Sequence, residues 1–348
     1  MAPTQQWRWM EERYVAIKIN ATSHHSQDIA ADNELNILQH IAKCNPDPRS
    51  REFVRLPLDS FNLTTKYGNH TCLAFEPLRE PLWLYQRRWK EDVIPSEILK
   101  IMLQTILHDL DYLHSECHII HTDLNPDNLL IKLEDSSILH RDALDEYHNP
   151  LPQKHCDDGR IIYLSRNNHG KHIRTTIRTV ITDFDLTVKG DTPNSGCIQA
   201  EIYRAPEVIL EAGYLYSADI WSLGVMLWDL LEKKALFDEV DPPGEDRYDD
   251  ANHLAYITGL LGSPPVRLLE KGKRTSLFYD SQSRCLKQPV IGPGEDFGFE
   301  NTITTVTGEE KQMFIKFVKK MTKWKPEERS TARELLDDPW LHKNYPTE

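Results

Sequence analysis

Three short segments of the chain carry residue types that can move a proton or hold a cation. In His121-Thr122-Asp123-Leu124-Asn125-Pro126-Asp127-Asn128, Asp123 and Asn128 lie five residues apart, near enough on a bent loop to address one substrate. An aspartate there can accept a hydroxyl proton, and an asparagine carbonyl oxygen can ligate Mg²⁺. In Asp183-Phe184-Asp185 an acid follows the strand-like run Ile177 to Ile181, a common setting for a Mg²⁺ ligand and an equally common turn. In Val15-Ala16-Ile17-Lys18 a strand lysine precedes Glu34 by sixteen residues, and such a pair can hold the α- and β-phosphates of a nucleotide. Taken singly each has a plain reading: a polar turn, a loop acid, a surface lysine.

These groups need a frame. Tyr14 to Ile19 reads as a strand, preceded by another in which Trp7 and Trp9 alternate with polar neighbours, with Glu11-Glu12 at the turn between them. Gln27 to Ala42 reads as a helix, with Ile29, Leu35, Leu38 and Ile41 near helical spacing, ended by Pro46 and Pro48. Phe53 to Phe61 and Thr71 to Phe75 are strand-like. Beyond Pro81 the pattern turns helical: Ser96 is the expected N-cap of a long helix carrying Ile98, Ile101, Leu103, Ile106, Leu107, Leu110 and Leu113. Asp219 to Leu231 is apolar almost all round, the mark of a buried central helix. The expected fold class is α+β and bilobal, a small β-rich lobe over residues 1–78 and a large helical lobe over 79–348. Polar inserts are expected near 134–171 and 238–250.

Composition narrows the partners. A formal net charge of −13 argues against sequence-independent binding to nucleic acid, which needs a surplus of Lys and Arg. It suits a cationic partner, or solubility alone. The six cysteines are scattered without C-x-x-C spacing, so free thiols in a reducing compartment are expected. The N-terminal residues lack the apolar core of a signal peptide, and the apolar stretch from Trp221 to Leu231 is too short to span a bilayer. An intracellular monomer, cytoplasmic or nuclear, with no membrane contact, is the expectation.

Order ties the segments together. V-A-I-K, a helix Glu, H-x-D-x-x-x-x-N, D-F-x, then Ala205-Pro206-Glu207 and Asp219-Ile220-Trp221-Ser222-Leu223-Gly224 follow one another as in the eukaryotic protein kinases, which the chain resembles from about Trp7 to Leu341. The resemblance implies ATP and Mg²⁺ as cofactors. It implies Asp123 as catalytic base, Asn128 and Asp183 as metal ligands, and Lys18 with Glu34 as the phosphate-positioning pair. It implies Phe75 as gatekeeper beside the adenine, Glu76 and Leu78 as hinge groups, and Glu207 with Arg329 as a structural ion pair. His-Thr-Asp, GYLYSADIWSLG, HLAYITGLLG and NPDPRSREFVRL are similar to the SR-protein kinases, which implies serine/threonine transfer to an Arg/Ser-rich protein substrate. With Thr122 in place of an arginine there is no partner for a loop phosphate, so activity without loop phosphorylation is expected.

Three departures bear on turnover. No G-x-G-x-x-G precedes Val15, so either the chain is truncated relative to its relatives or it binds nucleotide poorly. Asn125 stands where these kinases carry a lysine facing the transferred group; losing that cation costs roughly 1–3 kcal/mol of transition-state stabilisation. Asp185 replaces a glycine and restricts the backbone there. Lys234, Asn252 and Gly259 fall where docking acids are expected, and the acidic run Asp238, Glu239, Asp241, Glu245, Asp246, Asp249 and Asp250 is either a substitute or a solvated loop. The competing readings are a catalytically weak pseudokinase or protein-binding module, and a small-molecule phosphotransferase. The peptide-binding segment around Glu207 argues against the last.

Overall fold

The computed structural model describes residues 13–20, 27–44, 54–66, 68–170, 177–232, 234–240, 248–282, 285–287 and 290–344. The expected strand at Trp7 and Trp9, the turn at Glu11-Glu12, and Asp241, Glu245 and Asp246 lie outside these residues.

The first element is a three-stranded antiparallel sheet. Strand β1 (Ala16–Ile19) pairs with β3 (Gly68–Phe75), which pairs in turn with β2 (Asp59–Thr65). The register sets Ala16 opposite Phe75 and Lys18 opposite Leu73. Strand residues two apart share a face, so Ala16 and Lys18 point one way while Ile17 and Ile19, both exposed, point the other. Helix α1 (Gln27–Cys44) follows β1 and buries Ile37, Leu38 and Ile41. Glu34 lies three and four residues before Ile37 and Leu38, on the face turned inward. The strand expected at Phe53 to Phe61 begins later, at Asp59. Pro57 offers no N–H to a ladder, and Val54 makes only a single bridge, to Ile181.

The remainder is mainly helical. Helix α2 (Ser96–Asp111) buries Leu99, Met102, Leu103, Ile106, Leu107 and Leu110. Ser96 is not its N-cap: Pro95 holds that place, its fixed φ suiting a helix start, and no side chain caps the helix. Two short ladders flank the polar loop, β4 (Ile119–Ile120) and, after the loop, β5 (Leu129–Ile131). The expected insert near 134–171 is partly ordered by helix α3 (Ser137–His148) and a hairpin of β6 (Gln153–His155) and β7 (Ile161–Tyr163). Strand β8 (Thr179–Ile181) pairs with β5, and β9 (Val188–Lys189) with β4.

Helix α4 (Ser217–Leu231) runs through the core, buried from Ala218 to Leu231 except at Asp229. Gly224 permits that packing: a Cβ there would stand 2.9 Å from Met321 Cβ on helix α6 (Gly308–Met321), closer than side chains tolerate. Between them helix α5 (Asp250–Leu261) is capped by Asp249, which accepts from the N–H groups of Ala251 and Asn252. No helix among the described residues is long and apolar enough to cross a membrane. None of the six cysteines, all among the described residues, forms a disulfide.

Candidate active site

The polar loop between β4 and β5 is hung from the buried helix. Asp219 on α4 accepts from the backbone N–H of His121 at 2.8 Å and of Thr122 at 2.9 Å, and pairs with His114 at 2.9 Å. Burial works to raise the Asp219 pKa, but His114, His121 and these backbone donors prevail and hold it below the ordinary value. A fixed anion thus sets two consecutive amides. Thr122 adopts φ 72°, a left-handed conformation costly for a β-branched residue, which the Asp219 contacts sustain.

Within the loop Asp123 is gripped from its own chain. Asn128 donates to its Oδ2 at 2.9 Å, and Asn125 to its Oδ1 at 3.2 Å. Half-burial raises the Asp123 pKa, assisted by the charge of Asp183 and opposed by His121, Asn128 and Asn125. Asn125 also accepts from the N–H of Asp127 at 2.9 Å and of Asn128 at 3.3 Å, so its side chain cross-braces the loop.

Lys18 gathers the other acids. Its Nζ donates to Glu34 Oε1 at 2.9 Å and to Asp183 Oδ1 at 2.6 Å. Burial alone would lower the Lys18 pKa; the hydrogen bonds to Asp183 and Glu34 override it and hold the pKa above its usual value. Glu34 is only 2% exposed, and burial pushes its carboxyl upward against the pull of Lys18. Asp183, at φ 67°, is the second non-glycine residue of the site in the left-handed region.

Ala16, Lys18, Glu34, Phe75, Asn128, Leu130, Asp183 and Phe184 line one cleft of about 290 Å³. Phe75 is buried at its back. Glu76 and Leu78 follow Phe75 in the connecting segment and do not line the cleft; the N–H of Arg79 donates to Ile131 O at 2.8 Å and ties that segment to β5. Asn128 and Asp183 put two oxygen-bearing side chains on the same wall, a donor set that fits Mg²⁺ held with phosphate oxygens. A larger cavity of about 690 Å³, between Pro193 and Arg267, contains none of these groups. Deeper in the large lobe Arg329 meets Glu207 in a two-pronged ion pair, both contacts 2.6 Å and both side chains fully buried.

Two residues, Arg55 in the cleft and Asn33 next to Glu34, went unnoticed in the sequence. Arg55 stacks on the Phe75 ring at 4.5 Å and donates to Glu76 O at 3.2 Å. Asn33 donates to the backbone carbonyls of Asp185 and Thr187. Arg55 lies in the NPDPRSREFVRL stretch, where it was not singled out, and for Asn33 the one available signal was that it directly precedes Glu34.

This geometry can be set beside known proteins. The protein kinase domain model matches residues 6–341. The chain belongs to the protein kinase family. It is 36% identical over 332 residues to a serine/threonine protein kinase of Aspergillus fumigatus, covering 95% of this chain and 78% of that one. It is 30% identical over 351 residues to the serine/threonine-protein kinase SRPK of Physarum polycephalum, covering 94% and 80%. The crystal structure of a kinase domain superposes with a TM-score of 0.67 at 23% identity, over 94% of this chain and 88% of the other, a likeness of fold. The bilobal α+β class is therefore that of the protein kinases, and the chain is a serine/threonine protein kinase.

Proposed function

We propose that the protein, acting as a monomer in the cytoplasm or nucleus, transfers the γ-phosphoryl of ATP to serine or threonine in Arg/Ser-rich protein segments. One observation carries the chemistry: Lys18, Glu34, Asp183 and Asn128 line one cleft, and Asn128 donates to Asp123 at 2.9 Å. Asp123 takes the hydroxyl proton as the substrate oxygen bonds to phosphorus, and the bond to the β-phosphate oxygen breaks to release ADP. Asn128 and Asp183 would hold Mg²⁺, which neutralises phosphate charge when bound. Lys18 moves from Asp183 toward the α- and β-phosphates while Glu34 keeps it in reach. In this reading Phe75 closes the back of the adenine pocket, and the backbone of Glu76 and Leu78 meets the base.

The substrate class rests on the SRPK relative and on the acidic surplus of the chain. The positions where docking acids are expected make contacts of their own. Asn252 spends its amide on Val240 O at 3.0 Å and on the N–H of Ile291 at 2.7 Å. Gly259 faces Pro293, whose Cγ would lie 2.6 Å from an added Cβ. Lys234 pairs with Glu239, and Asp250 with Arg274 and Arg204. Asp249 and Asp250 are engaged within the fold, so in this reading arginine recognition draws on exposed acids such as Asp127, Glu201 and Asp238.

A second reading, a protein-binding module with weak nucleotide affinity, draws on the bare outer face of β1, where Ile17 and Ile19 are 51% and 54% exposed and no Gly-rich motif precedes Val15 in sequence. The test compares wild type with Asp183→Asn, using γ-labelled Mg-ATP and an Arg/Ser-repeat peptide beside a Lys/Ala-substituted control. Transfer to the Arg/Ser peptide alone is expected. Equal labelling by wild type and variant would sink the enzymatic reading. A thermal shift with Mg-ATP then reports binding: ligand at about 100 times Kd adds roughly 2.7 kcal/mol.

A further inference from the structure

Three successive backbone carbonyls just beyond Asp183 are held from opposite sides. The turn closing from the Thr187 N–H to Phe184 O, at 3.3 Å, leaves the carbonyls of Asp185, Leu186 and Thr187 for other donors. Asn33 on α1 gives both hydrogens of its amide to the outer two, at 2.9 Å to Asp185 and 3.1 Å to Thr187. Thr122, in the catalytic loop, gives its hydroxyl hydrogen to the middle one, at 2.8 Å. A primary amide has two N–H donors and a hydroxyl one, so all of this donor capacity is used.

The placement matters because of the neighbours. Asn33 adjoins Glu34, and Asp185 lies two residues after Asp183; Glu34 and Asp183 are the two acids on Lys18. Helix α1 and the Asp183 segment are thus joined twice, through the cation of Lys18 and through the neutral amide of Asn33. When Lys18 turns to nucleotide phosphate the first bridge loosens, and the second does not depend on it. On the other side, Gln199 N–H donates to Thr122 O at 2.9 Å, so Thr122 ties both ends of the segment from 185 to 199.

We propose that Asn33 is a positioning residue that, with Thr122, staples residues 185–187 to both lobes and keeps Glu34 and Asp183 in place without a phosphate on the segment. This rests on the kinase reading above. It accounts for Asp185 in a place where backbone freedom would serve a moving segment, since here the segment is fixed. Asn33→Asp is the decisive variant, of equal size but presenting only acceptors to two carbonyls; Asn33→Gln keeps the donors on a longer arm.

The experiment uses the full chain, treated with phosphatase, and measures peptide phosphorylation together with amide hydrogen exchange over residues 183–190. The expectation for Asn33→Asp is a kcat lower by about 10-fold or more, KM for peptide within about 2-fold, and exchange about 10-fold faster. Thr122→Val should raise exchange in the same peptide, and Asn33→Gln should recover part of kcat. A merely structural role would lower the melting temperature equally for Asp, Ala and Gln at position 33 and spare the kcat of the folded fraction. Unchanged exchange in both Asn33→Asp and Thr122→Val overturns the staple, as does loss of wild-type activity on phosphatase treatment. If wild type transfers no more phosphate than Asp183→Asn, the kinase reading fails separately and exchange alone decides the staple.

Discussion

Asn125 reaches Asp123 in two ways, donating to its carboxylate and to its backbone carbonyl, both at 3.2 Å. The same side chain accepts from the amides of Asp127 and Asn128. A residue that stands in the place of a lysine has become a brace for the loop, and it trades charge at the transferred phosphoryl for rigidity around the base. Asn125→Lys reverses the trade. The expected result is a kcat higher by about 5-fold or more, from restored transition-state charge, with stability lower by about 1 kcal/mol for the lost loop bonds. Steady-state kinetics and urea denaturation of the pair check both; a kcat at or below wild type refutes the charge argument.

The pH profile follows from the same contacts. Asp123 must be ionised to accept a proton, and burial places its pKa above the ordinary 3.8. The acidic limb of kcat/KM should therefore lie above the usual aspartate range, the rate rising as pH rises through it. Asn125→Ala removes a hydrogen bond to the ionised form and should move the limb upward, whereas Asn125→Lys adds a cation and should move it downward. Shifts in one common direction would contradict Asp123 as the titrating base.

The buried pair of Glu207 and Arg329 should act on stability and leave the chemistry alone. Arg329→Met strands a carboxylate that is fully buried, at a cost of about 3–5 kcal/mol. The double variant Glu207→Gln, Arg329→Met should recover a large part of that loss. Chemical denaturation of the three proteins measures it, and additive losses would argue against a coupled pair.

Asp109 makes a prediction of opposite sign to salt-bridged acids, whose pKa is lowered. It is fully buried on α2, accepts only a 3.3 Å bond from the N–H of Ile181, and burial drives its pKa well above the ordinary value. A carboxyl whose folded pKa is raised favours folding most when protonated, so its contribution falls as pH rises from the unfolded toward the folded pKa. Asp109→Asn should be more stable than wild type at pH 8, by about 1–3 kcal/mol, with the gap closing near pH 4. A gap that widens on acidification would refute the assignment.

What could be read beforehand, and what could not, divides along a physical line. Lys18, Glu34, Asp123, Asn128 and Asp183 were visible because each meets another side chain, and side-chain chemistry constrains residue type at both ends. Helix α4 was visible because burial on every face leaves an unbroken apolar run. Asn33 was not, because it donates to backbone carbonyls, which every residue carries and no letter of the sequence marks; Arg55 lay inside NPDPRSREFVRL, where nothing pointed to its contact with Phe75. Ser96 misled because the pattern favoured a capping hydroxyl, while the helix starts after Pro95 with no side chain accepting from its first amides. The acidic run before α5 suggested a free negative surface, yet Asp249 and Asp250 are taken up by a helix cap and two arginines.

The ion pair between Glu207 and Arg329 joins residues 122 positions apart. At about 5–20 residues per second, a ribosome takes roughly 6–24 s to add Arg329 after Glu207. During that interval the nascent large lobe holds a glutamate made for full burial with nothing to neutralise it, which disfavours closing the core around it. The catalytic loop hangs from α4 inside that core, so its setting is favoured once Arg329 has joined Glu207.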